Sequence, residues 1–363
     1  MTNIFVDTSV LKQSADSSQD MDFRYCLKKI PSDFLVEEIS GFYAAAQEQP
    51  VWHFQLRKEG MTTTEAVTNV ARILNVPEKD IGYAGLKDQD GITNQRISIQ
   101  ILSHVDVTAV NSCFDATSGK WLSLHELGGF TEKITIGRLV GNSFRVVIRN
   151  LHHKVADGLA KKGLFNNAFI NYYDTQRFGV PGGPSTTHLI GQAVLNEDWQ
   201  TALSLVGASC SPEGAAAKAW QGDPADFFQQ LDPRRLSFYY ASYGSYQWNK
   251  RVEEAFLRYG EGIRVTRSSI HYTLPCFYSD VLTLASVTPT TSLTRFEVID
   301  GERIEKCSQR QTVIHTAVKV MESGDDPLFP GRSSLTVEFL LPSGCYATMA
   351  VCQLIHLANA HIN

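Results

Sequence analysis

The spacing of hydrophobic and polar positions changes along this chain, and the changes divide it. Residues 22–58 look extended. Within them Trp52, Phe54 and Leu56 alternate with His53, Gln55 and Arg57. A period of two puts one set of side chains on a core face and the other set outward, so a half-buried strand is predicted here. The period then lengthens. Val67, Val70, Ala71 and Leu74 share one helical face, and Thr62, three residues before Glu65, has capping-box spacing. Glycines punctuate 82–91 as a turn region. Ile97 and Ile99 then alternate with Arg96 and Ser98 on a further strand, and Phe144, Val146 and Ile148 share a face of another at 142–149.

The middle of the chain differs. Residues 165–260 read mostly as helix, including 191–206 and a long segment at 234–259, with Pro181-Gly182-Gly183-Pro184 as a loop. Strand period returns at Leu335, Val337, Phe339 and Leu341, and 346–358 looks helical. A mixed β/α start, a helical middle and a mixed β/α end imply one domain interrupted by an insertion. Residues 1–21 are polar, rich in Ser, Asp and Gln at 14–20, and are expected to form a loose arm.

Composition narrows the class. The 363 residues are 43% hydrophobic and 20% charged, enough for a sizeable core. The seven cysteines are scattered and form no C-x-x-C pair. Neither a disulfide framework nor a structural zinc site is expected, and a reducing cytosol fits. There is no apolar run of signal-peptide kind at the start and none approaching the roughly 18 residues of a membrane helix. A soluble cytoplasmic protein with no membrane partner is the expectation. The net charge of −5 weighs mildly against a nucleic-acid partner, since phosphate contacts need Lys and Arg. A local basic groove can nevertheless sit on an acidic protein. Basic pairs occur at Lys28-Lys29, Arg57-Lys58, Lys161-Lys162, Arg234-Arg235 and Lys250-Arg251, which composition alone would leave as solvated surface.

Phosphate-loop, dinucleotide, nucleophile-elbow and zinc-deaminase motifs do not occur, so NTP, NAD and zinc chemistry lack support. The informative stretch is Gly82-Tyr83-Ala84-Gly85-Leu86-Lys87-Asp88-Gln89-Asp90-Gly91-Ile92-Thr93-Asn94-Gln95. A Lys-Asp pair between glycines, just before a strand, is an unusual place for charge. By itself such an Asp is more often a turn-former than a catalyst.

A resemblance changes that weighing. G-x-K-D-x-x-(A/G)-x-T-x-Q resembles the signature of TruD-type tRNA pseudouridine synthases. Six further blocks resemble the family in its own order. They are Lys28-Lys29-Ile30-Pro31-Ser32-Asp33-Phe34-Leu35-Val36-Glu37-Glu38, Lys58-x-Gly60-x-x-Thr63, Gly141-Asn142-Ser143-Phe144, Asn171 through Gly179, Ser237 through Asn249, and Leu341 through Thr348. Together the blocks span residues 28 to 348. The chain departs from the family pattern at Gly91 (usually Ala), Asp174 (usually Gly) and Gly244 (usually Gln), and the loop near 41–50 looks short.

The resemblance implies an α+β fold: a pseudouridine-synthase-type mixed, mainly antiparallel sheet with flanking helices. The catalytic domain would comprise 22–165 and 315–363, with a mostly helical TRUD domain inserted at 168–313. It implies isomerisation of uridine to pseudouridine in tRNA, with uridine 13 of the D-arm as the expected target, no cofactor, no metal and no DNA partner. Asp88 would be the catalytic carboxylate. Lys28 would be its cationic neighbour, Phe144 would stack on the flipped base, and Asn142 would bond the base edge or position Asp88. Lys87 would contact phosphate or support the loop. Each also has a plain structural reading: exposed strand lysine, core aromatic, turn residue, surface charge. Gln176-Arg177-Phe178-Gly179 is expected to be structural, with Arg177 bracing backbone or carboxylates. A non-catalytic RNA-binding or RNA-remodelling protein on the same fold is the competing expectation.

Overall fold

A sheet of nine strands carries the fold among the described residues, which in this computed structural model are 25–41, 43–44, 51–101, 106–113, 119–179, 184–209, 211–299 and 302–360. The arm at 1–21, residues 181–183 of the Pro-Gly loop and most of the 41–50 loop lie outside them. The first half of the chain supplies β1 (Phe34–Ser40), β2 (Val51–Glu59), α1 (Thr63–Leu74), β3 (Ile81–Tyr83), β4 (Ile92–Gln100), α2 (Thr108–Ser112), β5 (Trp121–Phe130), β6 (Leu139–Leu151), α3 (His153–Lys162) and β7 (Leu164–Ile170). Helices α4 (Thr187–Leu195), α5 (Trp199–Gly207), α6 (Pro212–Ala219), α7 (Pro224–Gln229) and α8 (Pro233–Leu257) follow. A hairpin, β8 (Gly262–Arg267) and β9 (Ile270–Pro275), then leads through α9 (Tyr278–Val287) to a second hairpin, β10 (Thr290–Ile299) and β11 (Glu302–Gln311). The chain closes with β12 (Val313–Asp325), β13 (Ser333–Pro342) and α10 (Ala347–Ala360).

The sheet order is β5-β2-β4-β1-β6-β13-β12-β7, with β3 on β4. Only β1 and β4 pair in parallel; the other paired strands are antiparallel. The late strands β12 and β13 therefore sit between β6 and β7, which precede α4–α9 in sequence. Register aligns Phe144 with Phe339 and Asn142 with Leu341 across β6 and β13. Helix α10 is buried from Ala347 to Leu357, as its nearly continuous apolar run requires. Val146, Ile148, Leu335 and Val337 share one core with Trp248, Phe256, Leu274 and Val281 from the middle of the chain. A second core joins Val67 and Val70 of α1 to Phe54, Leu56, Ile97 and Leu124.

Local details follow the sequence with three corrections. His53 of β2 and Ser98 of β4, expected on outward faces, are fully buried, because the segment after β5 covers them: His53 Nε2 bonds the Glu132 carbonyl at 2.8 Å and Ser98 Oγ accepts from the Ile134 amide at 2.9 Å. Thr62 caps α1 by accepting from the Glu65 amide at 3.1 Å, while the Glu65 carboxylate pairs with Lys120. Residues 164–170, expected within a helical stretch, form strand β7. Ala168, Phe169 and Ile170 are all fully buried, and a short apolar run carries no period that separates strand from helix. The expected helix at 191–206 breaks at 196–198, where Glu197 takes a positive φ of 58° and Asp198 caps α5. No helix among the described residues is long and apolar enough to cross a membrane.

Candidate active site

The Gly85–Asp88 loop is held from beneath by buried polar side chains. Lys58 on β2 is fully buried, and its ammonium donates to the carbonyls of Met61 (2.8 Å) and Asp88 (2.7 Å). Thr63, at the start of α1, accepts from the Lys87 amide at 2.9 Å and donates to Gln95 Oε1 at 3.0 Å. Gln95 on β4 donates in turn to the Gly85 carbonyl at 3.2 Å. A loop cannot be fixed by ladder hydrogen bonds, so buried side chains meet its backbone groups instead. The Lys58 ammonium is pulled down to about 8, first by burial, with Lys87 adding to the effect and Asp88 and Glu65 opposing it.

This scaffold presents Asp88 to a cleft of about 330 Å³. Lys28 Nζ lies 2.7 Å from Asp88 Oδ1, and Gln176 Nε2 donates to the same oxygen at 3.0 Å. Oδ2 has no hydrogen-bond partner among the described residues and is the oxygen left open. Burial pushes the Asp88 carboxyl up. The Lys28 charge and hydrogen bond, the Gln176 hydrogen bond and the Lys58 charge outweigh it, so the carboxyl sits below its ordinary value. Asp88 is thus an ionised carboxylate at neutral pH. Lys28 reaches it from a left-handed backbone, φ 56°, which costs a non-glycine residue roughly 1–2 kcal/mol. Its ammonium also lies 4.2 Å from the Phe34 ring centroid, and its side chain is 3% exposed.

All five residues singled out from the sequence line this one cleft: Lys28, Lys87, Asp88, Asn142 and Phe144. Phe144 is both core and wall, stacked on Phe339 at 5.6 Å and edge-on to Phe34 at 5.9 Å. Asn142 Oδ1 is buried without a hydrogen-bond partner, a state that folded proteins rarely leave unexplained. Lys87 turns inward. Its ammonium is 2.6 Å from Glu38 Oε2 of β1 and both side chains are buried, so the ion pair ties the loop to the sheet. Arg177 donates to Ser245 Oγ at 3.1 Å and braces α8; no carboxylate among the described residues ion-pairs with it.

Sequence reasoning missed Lys58, Thr63 and Gln95 as loop anchors and Gln176 as a ligand of Asp88. Each lies inside a block that carried the family resemblance, which was the available signal. Two departures also acquire causes. A Cβ at Gly91 would stand 2.5 Å from the Phe34 carbonyl oxygen, and one at Gly244 would stand 2.2 Å from that of Thr294. Backbones pack too closely there for a side chain. Asp174 is buried, ion-paired with Arg267 at 3.1 Å and bonded by the Thr348 hydroxyl.

Comparison with known proteins gives a consistent result. The family model for tRNA pseudouridine synthase D (TruD) matches residues 18–222, more than half of the chain. The tRNA pseudouridine synthase D of Geobacter sulfurreducens is 34% identical over 211 residues, covering 54% of this chain and 48% of that protein. Multisubstrate pseudouridine synthase 7 of Schizosaccharomyces pombe is 28% identical over 237 residues, covering 54% and 34%. The chain spans about half or less of the length of these curated relatives. A Methanosarcina mazei crystal structure assigned to TruD superposes with a TM-score of 0.57 at 21% identity, over 91% of this chain and 93% of that one. That likeness establishes a shared fold.

Proposed function

This chain belongs to the TruD family, and on that premise we propose that it is a tRNA pseudouridine synthase with Asp88 as its catalytic carboxylate. The reaction breaks the N1–C1′ bond of a uridine, turns the base and joins C5 to C1′, with the C5 proton lost and one regained at N1. It is an isomerisation and needs no redox partner. It does need a carboxylate poised at the nucleoside as nucleophile or base. The observation that carries the reading is the asymmetric holding of Asp88. Oδ1 is occupied by Lys28 and Gln176, while Oδ2 of this cleft-lining residue has no hydrogen-bond partner among the described residues. Oδ2 is the atom we assign to the chemistry.

The cleft walls suit an extruded base. Its volume falls in the range of about 300–1,000 Å³ typical of small-molecule sites. Phe144 offers a ring face for stacking, and the unpartnered Asn142 amide oxygen can accept from uracil N3–H. Extruding a stacked base costs a few kcal/mol, which such contacts would offset. We assign uridine 13 of the tRNA D-arm as the target, and residues 22–165 with 315–363 as the catalytic domain around the insertion at 168–313.

The test is pseudouridine formation on an unmodified tRNA transcript by wild type and Asp88→Asn. Tritium release from 5-tritiated uridine measures turnover and site mapping locates it. Product at position 13 from wild type and none from the variant supports the whole reading. Product at another uridine moves the target alone. Tight tRNA binding without product, from wild type, would replace the enzyme with a non-catalytic RNA binder.

A further inference from the structure

Beside the Asp88 cleft the protein carries positive charge that it does not neutralise. Arg177, which follows the Asp88 ligand Gln176, donates to Ser245 and lies 5.6 Å from the Phe238 ring. Arg295 of β10 donates to the Tyr173 hydroxyl at 3.1 Å. Arg310 of β11 stacks 4.0 Å over the Tyr173 ring and 5.0 Å from that of Trp248, and donates to the Asn171 carbonyl and side chain. Tyr173 is the common platform, and Tyr346 packs edge-on against it at 6.0 Å. Tyr346 and Gly344 both line the cleft, and Arg310 Nη1 is within 3.4 Å of where a Gly344 side chain would begin.

Arginines elsewhere in the structure show what is missing here. Arg149, Arg267 and Arg235 each hold a carboxylate within 3.1 Å. Among the described residues Arg177, Arg295 and Arg310 ion-pair with none, and the buried Nε atoms of Arg295 and Arg310 have no hydrogen-bond partner. Asp174, the acid that acts on neighbouring Tyr346, is already taken by Arg267 and Thr348. Burial pulls the Arg177 guanidinium down, and the charges of Arg295 and Arg310 pull it further, against the opposing effect of Tyr346 and Tyr173. Three clustered guanidinium groups repel one another and retain free donors. Aromatic faces attract cations but do not satisfy N–H groups. An anion with several acceptor oxygens would offset the charge of these half-buried guanidinium groups, and guanidinium forks match phosphate geometry.

We propose that Arg177, Arg295 and Arg310 form a clamp for one backbone phosphate of the RNA strand as it leaves the Asp88 cleft. The proposal rests on the assignment of an RNA substrate to that cleft. It gives the acidic chain a local basic site, and it makes the β10–β11 hairpin part of substrate binding.

Binding of an unmodified tRNA transcript is measured across a potassium chloride series for wild type, Arg295→Gln, Arg310→Gln and Arg295→Lys. The glutamine variants are expected to flatten the slope of log affinity against log salt by about 0.7–0.9 each, the signature of one lost phosphate contact. KM for tRNA should rise by about tenfold, with kcat at saturating RNA nearly unchanged. Arg295→Lys, which keeps the charge, should restore the slope. Methylphosphonate at the clamped position should weaken wild type and leave Arg295→Gln indifferent. An unchanged slope in both glutamine variants overturns the clamp. So does a lost slope that Arg295→Lys fails to restore, because the arginines would then be structural. Wild type that forms pseudouridine while the variants keep its slope sinks the clamp alone. Wild type that binds with the expected slopes but forms no product sinks the enzyme alone. Absence of RNA binding sinks both.

Discussion

Two aspartates, Asp33 against Arg149 of β6 and Asp88 in the cleft lined by Asn142 and Phe144 of the same strand, are held in opposite ways. Arg149 grips Asp33 through both carboxylate oxygens, at 2.6 to 3.0 Å, and also reaches Asp326 at 3.1 Å. Asp33 further accepts from the Ile30 amide, and Asp326 accepts from those of Asn150 and Leu328. The acid side chains are at most 1% exposed. Asp88 is held through Oδ1 alone and its side chain is 23% exposed. A carboxylate that serves the fold has its oxygens closed off. The one proposed for chemistry is fixed by one oxygen, and its other oxygen has no hydrogen-bond partner among the described residues. Both lie in blocks that resemble the same family, so motif membership by itself does not separate the two roles.

The comparison breaks if the two aspartates respond alike. Asp33→Asn should cost about 3–5 kcal/mol in urea unfolding, because Arg149 loses its bidentate partner inside the protein. Asp88→Asn should lower kcat by about 10³-fold and cost distinctly less stability, since Lys28 and Gln176 keep an acceptor. Equal losses of stability would make Asp88 another structural acid.

Lys28→Gln sharpens the electrostatic side, with an expected fall in kcat/KM of about 10- to 100-fold, in keeping with roughly 1.5–3 kcal/mol for a charge-assisted hydrogen bond. The sign of its pH effect is fixed. The Asp88 carboxyl is depressed in the folded protein, so its stabilisation is present above the unfolded carboxylate range and is lost as pH falls through the lower folded value. Removing Lys28 takes away a lowering influence, so the acid limb of the kcat/KM profile should move to higher pH. A limb that stays in place would argue that another group titrates there.

Gly91→Ala installs the residue more usual in the family and should destabilise by about 1–3 kcal/mol, since the new methyl group meets the Phe34 carbonyl. An unchanged melting temperature would mean that β1 and β4 can separate without cost. The smallest effect belongs to Gln176→Ala, about tenfold in kcat with unaltered tRNA affinity. A change confined to KM would move Gln176 from positioning Asp88 to binding RNA.

Much of the sheet was legible in the chain because period two and period 3.6 are local properties. The faces of β2, β4, β6 and β13, the stripe and cap of α1 and the apolar run of α10 each follow from neighbours a few residues apart. Strand β7 was not legible, because its short apolar run is decided by β12, which lies some 140 residues further along the chain. The break between α4 and α5 likewise turns on a single left-handed residue, Glu197.

The sequence by itself determined that Asp88 stands in a glycine turn before a strand, and its motif blocks marked Lys28, Asn142 and Phe144 as candidates. Only the tertiary structure decided what those residues do to one another. Lys28 meets Asp88 across 60 residues and Gln176 meets it across 88, and charge partners so remote leave no spacing to read. Lys87 was assigned its inward course by Glu38, and Arg295 and Arg310 acquired a shared platform only when two hairpin strands folded against Tyr173. Backbone periodicity is written in near neighbours. Electrostatic environment is a sum over everything close in space, and for this protein that sum exists only in the folded chain.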